Sequence, residues 1–423
     1  MDRHEQRVPS RGLLTVLLGA VGAGPLMLYG LSAVSDSIIV DLGISEAQFG
    51  LLATACFACA AIGNATLGRV ADKHSDNSLM TVVFVLAAAA LMLVAIPAGF
   101  WMLLIAAAAS GIAQSFPNGV TNRILLQRVP TSKRIGWVGI KQSGVQVSQL
   151  TASLAFPLLA AVAGWRGAAL LIALVPLFLM VLSWRSLRKT PLLTDAASRS
   201  VDTTTSTAES EADEPKTSTA EAAESVPVTS SRYPGMVWAL AAFGLLNGVG
   251  VQATNVYLPL FSVRELGFSL VLGGITAAVA GAIGVAARVG WARQMARGAS
   301  GPRLLLLLAF IAVGGAVMFY GAGVSGWAWM LWVAAALHRT SALGVSVVLM
   351  SALMRSIPAT SMASASGMVT AGMFTGFALG PVAMGLLVSS PAGFSLGWAV
   401  VGVIYLLCAV LAVVLIRAAR RSE

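Results

Sequence analysis

Twelve apolar runs constrain this chain more than any other feature of its 423 residues. At about twenty residues, a run of this kind is long enough to cross the hydrocarbon core of a bilayer as an α-helix. The runs fall at 13–40, 47–67, 79–96, 101–120, 135–162 and 168–187, and after a gap at 236–263, 270–291, 304–322, 327–354, 359–388 and 394–416. This pattern predicts an all-α integral membrane protein with twelve transmembrane helices.

The composition agrees with a membrane protein. Hydrophobic residues make up 57% of the chain and charged residues 10%, whereas a soluble domain carries about 25% charged residues. A net charge of +10 could suggest nucleic acid as a partner. The basic residues, however, are spread in small clusters between apolar runs and do not form a binding patch. We therefore expect a lipid bilayer as the partner and no nucleic acid.

The polar gap after the sixth run divides the chain into three parts. It is rich in Thr, Ser, Ala and Glu, holds eight of the seventeen acidic residues and lacks aromatic residues. A segment of this composition cannot bury a hydrophobic core. We expect residues 1–187 to form a six-helix bundle, residues 188–233 a disordered cytoplasmic linker, and residues 234–423 a second six-helix bundle.

Basic residues gather at alternate ends of the runs, and this asymmetry predicts the orientation. One set of ends carries Arg11, Lys73, Arg134 and Arg297, whereas the opposite loops carry acidic residues such as Asp41. Cytoplasmic loops carry the excess of Lys and Arg. We expect both termini and the linker to be cytoplasmic and the protein to lie in the cell membrane.

The two halves of the chain resemble each other in sequence. Residues 41–45 read Asp-Leu-Gly-Ile-Ser, and residues 265–269 read Glu-Leu-Gly-Phe-Ser. The same offset aligns Arg69 with Arg293 and Lys73 with Arg297. Internal repeats of this length predict that the two bundles are pseudo-symmetric.

A short charged turn between the second and third runs carries a family signature. Residues 68–73 read Gly-Arg-Val-Ala-Asp-Lys and resemble the G-x-L-A-D-R/K motif of the major facilitator superfamily. Val70 stands where the motif has Leu, and Ser75 where it has a later Gly. The resemblance implies a secondary transporter whose loops at this turn and its repeat hold one side closed. The conformational-gating residues would be Gly68, Arg69, Asp72, Lys73, Arg293 and Arg297.

Arg339 and its neighbour His338 are ionisable residues in the middle of an apolar run. Such residues cost about 2.5–3.5 kcal/mol each on insertion scales. Arg339 lies about 18 Å from the outer end of its run, too deep for its side chain to reach water. We expect Arg339 to bind an anionic substrate; the alternative is a structural donor to neighbouring carbonyls. His338 points about 100° away, and if it faces the cavity it can bind substrate and carry a proton.

The fifth run contains polar residues that a lipid-facing helix would not carry. Lys141 and Gln142 are followed by Gln146 and Gln149, which indicates a helix that lines water. We expect Lys141 and Gln142 to contact substrate. Arg123, near the inner end of the fourth run, is placed at a similar level; the alternative is that its side chain extends to the inner surface.

Carboxylates are scarce inside the runs. Asp36, about a turn and a half from the outer end of the first run, is the candidate for taking up a coupling proton. The alternative is a solvated position at the outer mouth. Asn255 in the seventh run and Tyr29 in the first could hydrogen-bond a ligand, although hydrogen bonds between helices would explain them as well.

A cavity with several cations and few acids favours an anionic substrate. We predict a secondary active transporter that moves a small organic anion of carboxylate type by alternating access, with a proton as coupling ion, acting as a monomer. The alternative is a drug or metabolite exporter of the same superfamily that works by proton antiport. Exporters of cationic drugs need buried acids, and this chain offers few.

Other function classes lack their sequence signatures. The chain has no H-E-x-x-H zinc motif, no nucleophile–base pattern and no G-x-x-x-x-G-K-[ST] phosphate loop. We therefore expect neither an enzyme nor a bound cofactor. Cys56 and Cys59 have CxxC spacing, but no second pair or His cluster accompanies them. We interpret them as small packing residues and expect no metal site.

Overall fold

The computed structural model describes residues 11–66, 73–190, 235–356 and 362–422. Within these ranges the regular structure is entirely helical. The helical segments are α1 (Arg11–Ala33), α2 (Ser35–Leu42), α3 (Glu46–Thr66), α4 (Asp76–Ala95), α5 (Gly99–Ala113), α6 (Pro117–Arg128), α7 (Thr131–Gln142), α8 (Gly144–Lys189), α9 (Gly235–Arg264), α10 (Leu270–Ala296), α11 (Gly301–Ser325), α12 (Ala328–Ser356), α13 (Met362–Val388) and α14 (Gly393–Ser422).

These segments form twelve spans. Eleven helices in the described ranges are long and apolar enough to cross a membrane. One of them divides at Gly164, whose φ of 70° and ψ of 167° are not helical. Only glycine adopts this conformation readily, so the chain turns there and the rest of α8 forms a separate span. The prediction of twelve transmembrane helices is confirmed.

Short breaks and extensions distinguish the helices from the apolar runs. The first span bends at Val34, with φ −117° and ψ 22°, between α1 and α2. The fourth run was expected to end at residue 120, but α6 continues to Arg128. Its last two turns are too polar to count as an apolar run, yet they remain helical, with Thr121, Ile124 and Leu125 buried on one face. Residues 191–234 lie outside the described residues, so the disordered linker and the domain boundaries stay predictions.

The spans pack into two bundles of six, which confirms the predicted fold class. We call α1–α8 the N-terminal half and α9–α14 the C-terminal half. In the first, α8 packs against α1 and α4, and α5 against α3 and α4; in the second, α13 packs against α9, and α11 against α12 and α14. Between the halves, α3 packs against α13 and α8 against α10. We call the end that contains Asp41 and Gly164 the Asp41 end, and the opposite end, where α8 stops and α9 starts, the linker end.

Three glycines on α13 bring its backbone against that of α9. They are spaced four residues apart and lie on one face: Gly372, Gly376 and Gly380. A Cβ atom at these positions would collide with the carbonyl oxygens of Ala241, Leu245 and Val249, which have the same spacing on α9. Small residues at such spacing let membrane helices approach closely without a hydrophobic driving force. The close contact fixes α9 and α13 as neighbours.

We expect Gly376→Ala to lower the stability of the folded protein. The new methyl group has no space against the Leu245 carbonyl, and overpacking of this kind costs about 1–3 kcal/mol. The measurement is the thermal unfolding midpoint of purified protein in detergent. Gly367→Ala is the matched control on the same helix, because nothing lies within 4 Å of a Cβ there. Equal unfolding midpoints for the two variants would show that α9 and α13 can move apart without loss of stability.

Candidate functional site

A cavity lies between the two halves, with a volume of about 950 Å³ when its space open to solvent is included. Its polar lining comes from both halves: Tyr29, Gln114, Gln142, Gln146, Gln149, Asn247, Gln252, Asn255, Arg288, Arg339 and Ser346. Its apolar lining includes Phe57, Phe374 and Phe377. A concave site with a few convergent polar groups is typical of small-molecule binding. Among its described lining residues there are two arginines and no carboxylate.

Arg339 is the most deeply buried charged residue of the cavity lining. It lies in the middle of α12 and is only 1% exposed. Its Nε and Nη2 atoms are buried without a hydrogen-bond partner among the described residues. Guanidinium groups bind carboxylates through paired, charge-assisted hydrogen bonds. A buried guanidinium with two unused donors is therefore suited to an anion that enters the cavity.

Arg288 is a second cavity arginine, and our sequence analysis did not single it out. It lies on α10, where its Nη1 atom approaches the backbone oxygen of Gln142 at 3.5 Å, the outer limit of a hydrogen bond. Its Nε atom is buried and has no partner among the described residues. The residue is three positions from the end of its apolar run at residue 291. The depth argument that selected Arg339 does not select a residue so close to the end of its run. Because α10 continues beyond the run to Ala296, Arg288 lies deeper than the run indicated.

Amide side chains supply further unused hydrogen-bonding atoms. Gln146 Oε1, Gln149 Nε2 and Asn255 Oδ1 are buried without a partner within the described part of the chain. Asn255 Nδ2 donates to Gln252 Oε1 at 3.0 Å, which orients both amides. The predicted binding residues Gln142, Asn255 and Tyr29 thus lie together with Arg339 around one cavity.

His338 lies away from this cavity. Its Nε2 atom is 2.7 Å from the hydroxyl oxygen of Tyr405 on α14, and its ring packs edge-on against Phe319 on α11. Adjacent residues on a helix point about 100° apart. Because Arg339 points towards the cavity, His338 points into the interior of the C-terminal half.

Lys141 and Arg123 also lie outside the cavity lining. Lys141 is buried and its Nζ atom donates to Thr121 Oγ1 at 2.8 Å and to Asn122 Oδ1, which joins α7 to α6. Arg123 Nε donates to Asp76 Oδ1 at 2.7 Å, at the linker end. In this structure both cations bind groups of the N-terminal half.

Asp36 belongs to a cluster that joins the halves at the Asp41 end. Arg264 donates from Nε to Asp36 Oδ1 at 2.7 Å and from Nη1 to Glu46 Oε1. Ser389 Oγ donates to Glu46 Oε2 at 3.0 Å, and the Tyr257 hydroxyl donates to the backbone oxygen of Glu46 at 2.6 Å. We call these five residues the Arg264 cluster. It connects α2 and α3 of one half to α9 and residue 389 of the other.

Three of the six predicted gating residues belong to the described part of the chain and lie at the linker end. Gly68, Arg69 and Asp72 lie outside the described residues. Lys73, Arg293 and Arg297 are exposed, and the polar contact between halves nearest to this end is that of Arg288 with Gln142. Among the described residues, the polar contacts that join the two halves are therefore concentrated at the Asp41 end.

The cysteines pack inside the N- and C-terminal halves. Cys56 is buried, and Gln114 Nε2 donates to its sulfur at 3.0 Å. The described residues contain no group of three or more His, Cys, Asp or Glu side chains that could hold a metal ion.

Twelve spans in two similar halves around a central polar cavity define a membrane transporter. The chain belongs to the Major Facilitator Superfamily, whose family model matches residues 13–370. It is therefore a multi-pass membrane transport protein and not an enzyme. A curated relative from Haemophilus influenzae named "Putative metabolite transport protein" is 29% identical over 279 residues, which cover 64% of this chain and 65% of the relative.

Solved structures of several transporters share the fold. A bacterial homolog of the human lysosomal transporter Spinster, in an inward-facing and unoccupied conformation, has a TM-score of 0.72 at 16% identity over 95% of each chain. A D-xylose-proton symporter has a TM-score of 0.72 at 15% identity, covering 95% of this chain and 96% of that one. The nucleoside transporter NupG has a TM-score of 0.69 at 14% identity, covering 96% and 99%. At these identities the likeness is one of fold.

We expect Tyr405→Phe to lower stability without changing the cavity. The substitution removes the hydroxyl that bonds His338, and a buried hydrogen bond contributes about 0.5–1.5 kcal/mol. The measurement is the thermal unfolding midpoint, with Tyr320→Phe as the control because Tyr320 is exposed on α11. If Tyr405→Phe changed ligand binding more than stability, His338 would have to be assigned to the site.

Proposed function

We propose that this protein is a secondary active transporter of a small organic anion of carboxylate type, working by alternating access with a proton as coupling ion. The observation that carries the proposal is Arg339. It is a buried cation with unused donors in a cavity whose described lining offers no carboxylate. Leaving such a charge unpaired in a buried site is unfavourable, and an anionic substrate relieves it on binding.

The charge of the cavity lining argues against the alternative, a drug or metabolite exporter that takes cations. A cationic substrate would meet Arg288 and Arg339 without a carboxylate among the described lining residues. Like charges in a low-dielectric site repel each other strongly. The name of the Haemophilus influenzae relative, which refers to metabolite transport, is compatible with an organic anion.

Alternating access would proceed by breaking the contacts at one end while forming contacts at the other. In the state described here, the Arg264 cluster holds the Asp41 end together. We propose that this end faces outward, by the positive-inside rule, and that both termini are cytoplasmic. The predicted gating residues from Gly68 to Lys73, with Arg293 and Arg297, would close the linker end in the opposite state. The protein would act as a monomer in the cell membrane.

Proton coupling would act through the Arg264 cluster. Asp36 and Glu46 both bind Arg264 across the two halves. Protonation of either carboxyl group would remove the charge that attracts the guanidinium and would favour separation of the halves. Asp36 is thus proposed as a coupling residue through the contact between the halves, while His338 lies within the C-terminal half.

We expect small carboxylates, and not cationic drugs, to stabilise the purified protein. A ligand at one hundred times its dissociation constant adds about 2.7 kcal/mol of stability. Arg339→Gln should abolish this effect because it removes the charge and the forked donors that the anion needs. The measurement is the thermal unfolding midpoint against a panel of carboxylates, amino acids and cationic drugs at pH 7.

The matched control is Arg303→Gln, which removes an exposed arginine from α11. It should leave carboxylate stabilisation unchanged. If cationic or neutral drugs stabilise the wild type, and Arg339→Gln has no effect on them, the anion proposal is wrong and the exporter takes its place.

We expect Glu46→Gln and Asp36→Asn to open the Asp41 end more often. A partly exposed ion pair contributes about 0–1 kcal/mol, so exposure of the cavity should rise about threefold. The readout is the labelling rate of Gln252→Cys by a membrane-impermeant maleimide added outside intact cells, with Cys56, Cys59 and Cys408 replaced by Ser.

Arg166→Gln provides the control at the same end. Arg166 pairs with Asp41 at 2.6 Å, and both residues belong to the N-terminal half. Its loss should not separate the halves. Equal labelling rates in Arg166→Gln and Glu46→Gln would contradict a closing role for the Arg264 cluster.

A further inference from the structure

We propose that the transported anion carries an aromatic body, so that the substrate is an aromatic carboxylate. This inference rests on the proposed function and names the substrate class of the same site. The carboxylate would bind Arg339 and Arg288, and the ring would pack against three phenylalanines on the other side of the cavity.

The three phenylalanines form one cluster that crosses the boundary between the halves. The ring of Phe377 on α13 is 5.6 Å from that of Phe57 on α3 and 5.5 Å from that of Phe374, measured between centroids. Phe57 is buried, whereas Phe374 and Phe377 are half-buried and line the cavity. We call these three residues the aromatic wall. It presents apolar ring surface to a space whose lining also contains amides and two arginines.

The unused polar atoms come from other helices. Gln146 and Gln149 lie on α8, and Arg288 lies on α10, which packs against α8 between the halves. Arg339 lies on α12, which packs against α10. We call these four residues the polar wall. The α8–α10 contact and the α3–α13 contact are the two main lines along which the halves meet, so the two walls bound the cavity on different sides.

A ligand that matches both walls must be amphipathic. Anionic oxygens satisfy the guanidinium donors, and apolar surface removes the rings of the aromatic wall from water. Aromatic rings also favour edge-to-face or offset contacts at centroid distances of about 4.5–7 Å, the range in which the three phenylalanines already lie. A hydrophilic dicarboxylate would satisfy the polar wall alone and would leave Phe374 and Phe377 against solvent.

The experiment measures apparent dissociation constants of defined acids from ligand-dependent thermal stabilisation of the full-length protein. The probes are benzoate and phenylacetate as aromatic acids, and acetate, succinate and gluconate as hydrophilic acids. Wild-type protein should bind the aromatic acids most tightly. Phe374→Ala should weaken benzoate about fivefold, the size expected for losing one ring contact, and should change succinate less than twofold.

Two further variants keep this test decisive. Phe374→Leu retains apolar volume but no ring, so it reports on the ring even if Phe374→Ala fails to fold. Phe310→Ala removes an exposed phenylalanine from α11 and should leave every dissociation constant unchanged.

The outcomes separate this inference from the proposed function. If succinate or gluconate binds more tightly than benzoate, the Phe374 variants change nothing and Arg339→Gln abolishes binding, the aromatic substrate is wrong and the anion transporter stands. If no acid stabilises the protein, or Arg339→Gln leaves acid binding intact, both proposals are wrong.

Discussion

The absence of water in the bilayer core is the constraint on which this structure depends. A backbone amide or carbonyl without a partner is costly in hydrocarbon, so the spans must be helices that satisfy their own backbone groups. Side chains are then the only source of polar chemistry at depth. Arg339, 1% exposed in the middle of α12, is tolerable because it borders a cavity and not lipid. The cavity that Arg339 borders lies between the two halves and is lined by residues of both.

The distribution of contacts between the halves gives this cavity its two different sides. Phe57 and Phe377 meet where α3 packs on α13, and Arg288 approaches Gln142 on the side of α8 and α10. The Arg264 cluster closes the space towards the Asp41 end. Charge, ring surface and closure are thus supplied by different sets of residues. A substitution in one of them can alter selectivity or opening without removing the others.

Most of the fold could be predicted from the sequence, because bilayer thickness sets the length of each apolar run. The gap between the fifth and sixth runs also predicted the division at Gly164. The bend at Val34 and the extension of α6 to Arg128 could not be predicted, since each depends on local packing. In the site, depth along the run selected Arg339 but not Arg288, which is three positions from the end of its run. The contacts of His338 and Lys141 could not be predicted. The sequence indicates how deep a residue lies along its run, but not which neighbouring residues its side chain contacts. The aromatic wall was missed for a related reason: a phenylalanine in an apolar run has no feature that separates a cavity lining from a lipid-facing surface.

The glycine contacts of α13 have a mechanical consequence. Its backbone touches that of α9 at three successive levels, at Gly372, Gly376 and Gly380, so neither helix can slide or rotate alone without collision. Phe374 is carried on the first helix and Asn255 on the second. Any rocking of the C-terminal half therefore displaces the Phe374 ring and the Asn255 amide together, because the two helices move as one rigid unit. The substrate experiences a single coordinated change of its surroundings, and not a sequence of independent side-chain adjustments.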